Sequence, residues 1–148
     1  MKLSLTPNRA RLPLELITGS ERPWGSFEQF VHNEVVTVKI ITVAPLQRLS
    51  LQRHTQRDEL WQVIDGPADV EVNGESNSVQ AGGRAWIPRG STHRLGNSAS
   101  TAVRVLEIAF GHFDEEDIER LADERRNRAG SRSAWSSATQ ATSIGTRW

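Results

Sequence analysis

Short stretches rich in Val, Ile, Thr and aromatic residues recur along the middle of the chain, separated by turn-forming residues. Their spacing of about 8–12 residues is typical of antiparallel sandwiches and barrels. Asn73-Gly74 lies between two alternating stretches and predicts a type I′ hairpin, because both positions tolerate a positive φ. The predicted strands are Gly25–Val31, Val35–Val43, Arg48–His54, Glu59–Ile64, Asp69–Val72, Ser76–Val79, Arg84–Ile87, His93–Leu95 and Ala102–Ala109.

One stretch after these strands has helical character. Asp114 can cap a helix running to about Arg128, with Asp117 as its capping-box partner. Acidic residues crowd the first turn, arginines occupy the last, and Ile118 and Leu121 supply an apolar stripe. Many short strands followed by one helix predict an all-β protein, a jelly-roll barrel with one C-terminal helix.

The 148 residues correspond to one domain with two flanking segments. We predict an N-terminal arm over 1–20, a barrel with its terminal helix over 21–128, and a flexible tail rich in Ser, Thr and Ala over 129–148. The arm alternates apolar residues at Leu12, Leu14 and Leu16, so it should cover either its own barrel or a neighbouring chain.

Composition excludes several classes of protein. With no cysteine, the chain cannot form disulfide scaffolds or use thiol catalysis. Its 18 basic and 18 acidic residues cancel, which argues against nucleic acid as a partner. It lacks an apolar run near the ~20 residues of a membrane span, and its N-terminus lacks the apolar stretch of a signal peptide. We therefore expect a soluble, cytoplasmic protein that binds neither nucleic acid nor membrane.

Four residues on two segments form a candidate metal site. Gln52 and His54 point to the same face of a predicted strand, and Glu59 can return from the next strand. His93 is presented by the turn that Pro88-Arg-Gly90 predicts. Two imidazoles, a carboxylate and an amide oxygen suit zinc, manganese, iron, cobalt or nickel.

The same two segments resemble the two motifs of the cupin family. The second motif is complete, at Gly82, Pro88, Gly90, His93 and Asn97. The first matches at His54, Glu59 and Gly66, with Gln52 at its first histidine and Leu46 at its opening glycine. This resemblance implies the cupin double-stranded β-helix.

Glutamine at position 52 resembles one cupin branch, the phosphomannose isomerases. Further segments are similar to the C-terminal domain of the type II enzymes: Arg22–Glu28, Leu49–Gln52, Glu59–Trp61, Ile87–Pro88, His93–Leu95 and Glu116–Arg120. The resemblance covers about residues 21–128. It implies that Gln52, His54, Glu59 and His93 hold a divalent metal, with zinc as the first choice and manganese, cobalt, iron or nickel as alternatives.

The implied reaction interconverts mannose 6-phosphate and fructose 6-phosphate through an enediol, so the expected partner is a small phosphosugar. Arg57 and Arg94 match arginines of the family motifs and are the first candidates for binding the phosphate, followed by Lys39. The sequence does not identify a catalytic base. We also expect a homodimer, which is common among similar cupins, with barrel edges or the segment Arg22–Glu28 at the contact.

Departures from the family pattern support a second hypothesis. Histidines of the family are replaced by Thr55, Gln56 and Leu60, and an arginine is replaced by Ile40. These losses favour a non-catalytic sugar-binding or regulatory cupin. A third hypothesis is an Fe(II) oxygenase that uses two histidines and a carboxylate, although Gln52 argues against it by filling a coordination position.

Overall fold

The structure is a computed structural model, which describes residues 17–122. Residues 1–16 of the predicted arm and the whole predicted tail lie outside the described residues. The strands are β1 (Thr18–Arg22), β2 (Gly25–Gln29), β3 (Val36–Val43), β4 (Leu51–Arg53), β5 (Arg57–Asp65), β6 (Ala68–Val72), β7 (Glu75–Val79), β8 (Arg84–Ile87), β9 (His93–Gly96), β10 (Val103–Gly111) and β11 (Glu119–Ala122). A 3₁₀ turn covers Glu115–Asp117.

Two antiparallel sheets form the body of the protein. The four-stranded sheet has the order β3-β10-β5-β8, and the five-stranded sheet has the order β11-β4-β9-β6-β7. Strands β1 and β2 form a separate hairpin. Asn73 and Gly74 connect β6 to β7 with φ values of 50° and 83°, as the predicted hairpin turn requires. The all-β prediction is confirmed.

The hydrophobic core lies between the two sheets. Because successive side chains on a strand alternate faces, the central strands of both sheets send every second residue into this space. The core combines Trp61, Val63 and Val105 of the four-stranded sheet with Val70 and Leu95 of the five-stranded sheet. We call the face of the four-stranded sheet that carries Trp61, Val63 and Val105 its inner face.

The outer face of the same sheet carries a second, smaller cluster. Leu60, Ile108 and Phe110 are buried there, with Ile17 and Phe30 packed against them. Trp24, at the tip of the β1–β2 hairpin, is 72% exposed. The dimer predicted around this hairpin stays a prediction.

The predicted C-terminal helix is wrong over its described part. Asp114 does cap a helical turn, since its side chain accepts from the Glu116 amide, but the turn ends at Asp117. Strand β11 follows and pairs antiparallel with β4. Pairing with the free edge of β4 therefore outweighs the local helical pattern. Within residues 17–122, no helix is long and apolar enough to cross a membrane.

Candidate metal centre

His54, Glu59 and His93 converge between the two sheets. His54 follows β4, Glu59 lies on the inner face of β5, and His93 begins β9. Each is at most 3% exposed. One potential ligand atom from each residue lies within 4.8 Å of the others. Nε2 of His54 is 2.9 Å from one carboxylate oxygen of Glu59, and Nε2 of His93 is 4.0 Å from the other.

Backbone carbonyls fix the orientation of both imidazoles. Nδ1–H of His54 donates to the carbonyl oxygen of Arg57 over 3.2 Å, and Nδ1–H of His93 donates to that of Ser91 over 3.1 Å. In a neutral ring this leaves the Nε2 lone pair directed at the cluster, which is how metal-binding histidines are commonly held. Nε2 of His54 is buried without a hydrogen bond from any described residue, because its short contact with Glu59 is not aligned.

The charges around Glu59 favour its ionised form. Burial alone would raise its pKa, but the short contact with His54, the hydrogen bond from Arg57 and attraction from His93 together lower the pKa to about 2. Burial also lowers the pKa of His93, so that its imidazole is neutral at pH 7. A divalent metal binds a carboxylate and the neutral form of an imidazole, and its binding displaces any proton from these atoms. The cluster therefore fits a divalent metal site.

Gln52 lies beside this cluster. It pairs with His93 across β4 and β9, and both residues line one cavity of about 190 Å³. Its amide nitrogen donates to the Ser50 hydroxyl over 3.0 Å, so the amide oxygen is the atom available to a metal. The structure thus brings all four predicted ligands to one place, and Gln52 as the fourth ligand stays a prediction.

A second buried carboxylate, Glu107, lines the same cavity. It lies on the inner face of β10, opposite Lys39 on β3 and Trp61 on β5. The indole N–H of Trp61 donates to Glu107 and to Glu59, at 3.2 Å each. Burial, followed by repulsion from Glu59, raises the pKa of Glu107 to about 7. Glu107 can therefore exchange a proton near neutral pH.

The three predicted phosphate-binding residues have different surroundings. Arg57 is 2% exposed and donates to Glu59 over 2.9 Å. Lys39 lines the cavity and lies 3.3 Å from Glu115. Arg94 borders the cavity, but it follows His93 on β9, and its guanidinium donates to Glu71 at 3.0 and 2.7 Å. Alternation along the strand turns Arg94 away from the side that His93 faces.

The segment after β10 is tied to the turn that follows His54. The carboxylate of Asp117 accepts from the amides of Thr55 and Gln56 at 3.0 Å each, and from the Thr55 hydroxyl at 2.8 Å. The same segment sends Ile118 to the cavity wall. Asp117 therefore supports both the backbone beside His54 and one side of the cavity.

We expect Asp117→Ala to weaken metal binding by about tenfold without removing it, since loss of outer contacts loosens ligand geometry. Titration of the metal-free chain with zinc would measure this, together with faster hydrogen exchange at the Thr55 and Gln56 amides. Glu116→Ala is the matched control, because Glu116 is an exposed neighbour whose side chain takes no part in these bonds. Unchanged zinc affinity in Asp117→Ala would contradict the supporting role.

Two residues that line the cavity, Glu107 and Arg120, were not predicted from the sequence. Glu107 is the acidic member of an inward row that otherwise contains Val103, Val105 and Ala109, and this break in an apolar alternation was a usable signal. Arg120 pairs with Gln52 and lines the cavity. The sequence predicts a helix at Arg120, and a residue on a helix has no partner on a neighbouring strand.

The chain is similar in sequence to known proteins over most of its length. A family described as "Mannose-6-phosphate isomerase C-terminal" matches residues 8–123. The alginate biosynthesis protein AlgA of Pseudomonas aeruginosa is 39% identical over 103 residues, covering 69% of this chain and 21% of AlgA. A mannose-1-phosphate guanylyltransferase of Sinorhizobium fredii is 35% identical over 127 residues, covering 85% of this chain and 25% of the relative. The chain thus spans a quarter or less of these relatives.

Solved structures share the fold. The capsular polysaccharide assembling protein CapF of Staphylococcus aureus aligns with a TM-score of 0.54 at 20% identity, over 71% of this chain and 34% of CapF. TT1209 of Thermus thermophilus aligns with a TM-score of 0.50 at 19% identity, over 69% of this chain and 90% of that protein. With the two sheets enclosing a buried His/Glu/His cluster, and with most of its length matched, the chain has the cupin fold and belongs to the mannose-6-phosphate isomerase C-terminal family.

Proposed function

We propose that this protein is a metal-dependent isomerase that interconverts mannose 6-phosphate and fructose 6-phosphate. The observation that carries the proposal is that Glu59 and His93 of the metal cluster line one cavity together with a separate buried carboxylate, Glu107. An aldose–ketose isomerase needs a Lewis acid and a group that moves a proton between C1 and C2. Names of relatives in alginate and xanthan biosynthesis support a role in sugar phosphate metabolism.

The proposed roles follow from position. His54, Glu59 and His93 would hold the metal, with zinc as our first choice and Gln52 as the fourth ligand. When bound, the metal polarises the sugar carbonyl and stabilises negative charge on its oxygen. Glu107, which is buried and faces the cavity, takes the proton from C2 of the aldose as the carbonyl oxygen at C1 gains one. It then returns that proton to C1 while the C2 hydroxyl releases its own proton, which balances the proton gained by the C1 oxygen and gives the ketose.

Three of the four positions that depart from the family pattern lie outside the metal cluster, so their identities do not count against catalysis. Leu60 is packed on the outer face, with Ile108 and Phe110, and Ile40 is 57% exposed. Both side chains point to the outer face of the four-stranded sheet, because they alternate with residues of the inner face. The Thr55 hydroxyl is bonded to Asp117. None of these three side chains takes part in the His/Glu/His cluster, so their identities leave it intact.

A coupled assay tests the proposal. The metal-free full chain would be loaded with zinc, manganese or cobalt, and formation of fructose 6-phosphate from mannose 6-phosphate would be followed. We expect turnover that requires added metal and that chelation removes. A folded, metal-loaded chain that binds mannose 6-phosphate without turnover would favour the sugar-binding alternative. Oxygen uptake with Fe(II) would favour the oxygenase.

A further inference from the structure

The positively charged side chains around the metal cavity differ in the partners that they already contact. Arg57 is buried against Glu59, and Arg94 is paired with Glu71. Lys39 lies against the ring of Phe113, 3.7 Å from its centroid, and contacts Glu115. Arg120 lines the cavity and is exposed, and it forms no ion pair with any residue in the described range 17–122. Among the described residues that line this cavity, Arg120 therefore has a guanidinium available to a ligand.

The strand register aligns Arg120 with two of the predicted metal ligands, Gln52 and His93. Along the neighbouring strands β11, β4 and β9, the paired residues are Arg120, Gln52 and His93. Two strand spacings separate the first from the last, which is about 10 Å between backbone positions. The residues next in sequence, Arg53 and Glu119, also pair with each other, and their side chains form an exposed ion pair. Alternation therefore turns Arg120 and Gln52 to one side and Arg53 and Glu119 to the other.

We propose that Arg120, together with Lys39, binds the phosphate group of the sugar at the mouth of the metal cavity. This inference rests on the proposed isomerase function and names the residues that select a phosphorylated substrate. A guanidinium presents a fork of N–H donors that suits phosphate oxygens, and the Lys39 ammonium adds a second charge. The sugar carbonyl would then lie toward His93 and Glu107, at the other end of the cavity.

The carboxylate of Glu115 would compete with a phosphate for Lys39, which allows a second test of the proposed phosphate site. Its side chain is 67% exposed and lies 3.3 Å from the Lys39 ammonium. An exposed ion pair of this kind is weak, so an incoming phosphate can replace the carboxylate at Lys39. Before it is displaced, Glu115 repels the phosphate. Removing its charge should therefore strengthen phosphate binding, whereas removing the charge of Arg120 should weaken it.

The experiment compares two ligands that cannot isomerise because they lack a carbonyl, mannitol 6-phosphate and mannitol. Calorimetric titration of the zinc-loaded full chain should show that Arg120→Gln weakens mannitol 6-phosphate binding by about 10- to 100-fold and leaves mannitol binding unchanged. Arg120→Lys should lie between, and Glu115→Gln should bind the phosphate more tightly. Arg53→Gln is the matched control and should behave as wild type, because its side chain lies on the opposite side of the same strand pair.

Wild-type affinity for mannitol 6-phosphate in Arg120→Gln would overturn the assignment, as would an equal loss for both ligands or a wild-type chain that does not distinguish them. This outcome is separate from that of the isomerase assay. Arg120-dependent binding without turnover would support the phosphate site and reject the isomerase. Turnover that Arg120→Gln leaves unchanged would do the reverse.

Discussion

Replacing His93 with alanine will abolish the binding of one divalent metal ion per chain. In the proposed site the three cluster residues would hold a single ion, and His93 would supply one of its two imidazoles. Its loss should weaken zinc affinity by more than ~100-fold, beyond what loss of a supporting contact costs. The measurement is metal content after dialysis together with calorimetric titration. Circular dichroism should still report a folded barrel, because the core between the sheets does not depend on this side chain.

Companion variants separate ligand loss from packing loss. His54→Ala should give the same result, and the double variant should be no worse than either single one, because each already removes the site. His93→Gln keeps most of the side-chain volume and should also lose zinc. Gln52→Ala should be milder, since water can replace a neutral amide. His112→Ala is the control, because His112 is exposed and outside the cluster. One zinc per chain at wild-type affinity in His93→Ala would contradict the assignment.

Strand alternation and turn chemistry made most of this site predictable. Alternation along the strand predicts Gln52 and His54 on one face, and the Pro88-Arg-Gly90 turn predicts the position of His93. The same alternation also predicts which strand face each of the two candidate phosphate-binding arginines occupies. Arg94 is adjacent to His93 on a strand and must face the other way, whereas Arg57 shares a face with Glu59.

What the sequence could not reveal depends on tertiary pairing. The stretch after Asp114 has caps, charges and apolar spacing typical of a helix, yet it forms a 3₁₀ turn and then β11. The Asp117 carboxylate, expected in a capping box, instead binds the backbone beside His54. These contacts join positions about 60 residues apart in sequence, so no local pattern encodes them. Misassigning this segment hid Arg120, because a helix gives it no partner on β4.

The second large effect should come from Glu107→Gln. We expect kcat for mannose 6-phosphate to fall by about 10²–10⁴-fold, the usual contribution of a positioned acid or base, while KM changes little. Glutamine has nearly the same shape, and its amide oxygen can still accept from the Trp61 indole, so the cavity and the metal cluster should persist. Zinc binding in the variant should therefore match wild type. Glu75→Gln, an exposed substitution at the β6–β7 turn, is the control. A kcat equal to that of wild type would show that another group moves the proton.

The stability of the metal-free chain gives an independent measure of the Glu107 environment. Folding raises the pKa of Glu107 from 4.5 to about 7, because the buried cavity disfavours its charge and Glu59 repels it. The folded state therefore holds this proton more tightly than the unfolded state. That contribution to stability is complete below pH 4.5 and is lost as pH rises through 7. Glutamine cannot ionise, so relative to wild type Glu107→Gln should gain about 3 kcal/mol between pH 4.5 and pH 8. Urea unfolding at both pH values measures the difference, and an equal effect of the substitution at the two would mean that Glu107 is not held as a buried neutral acid.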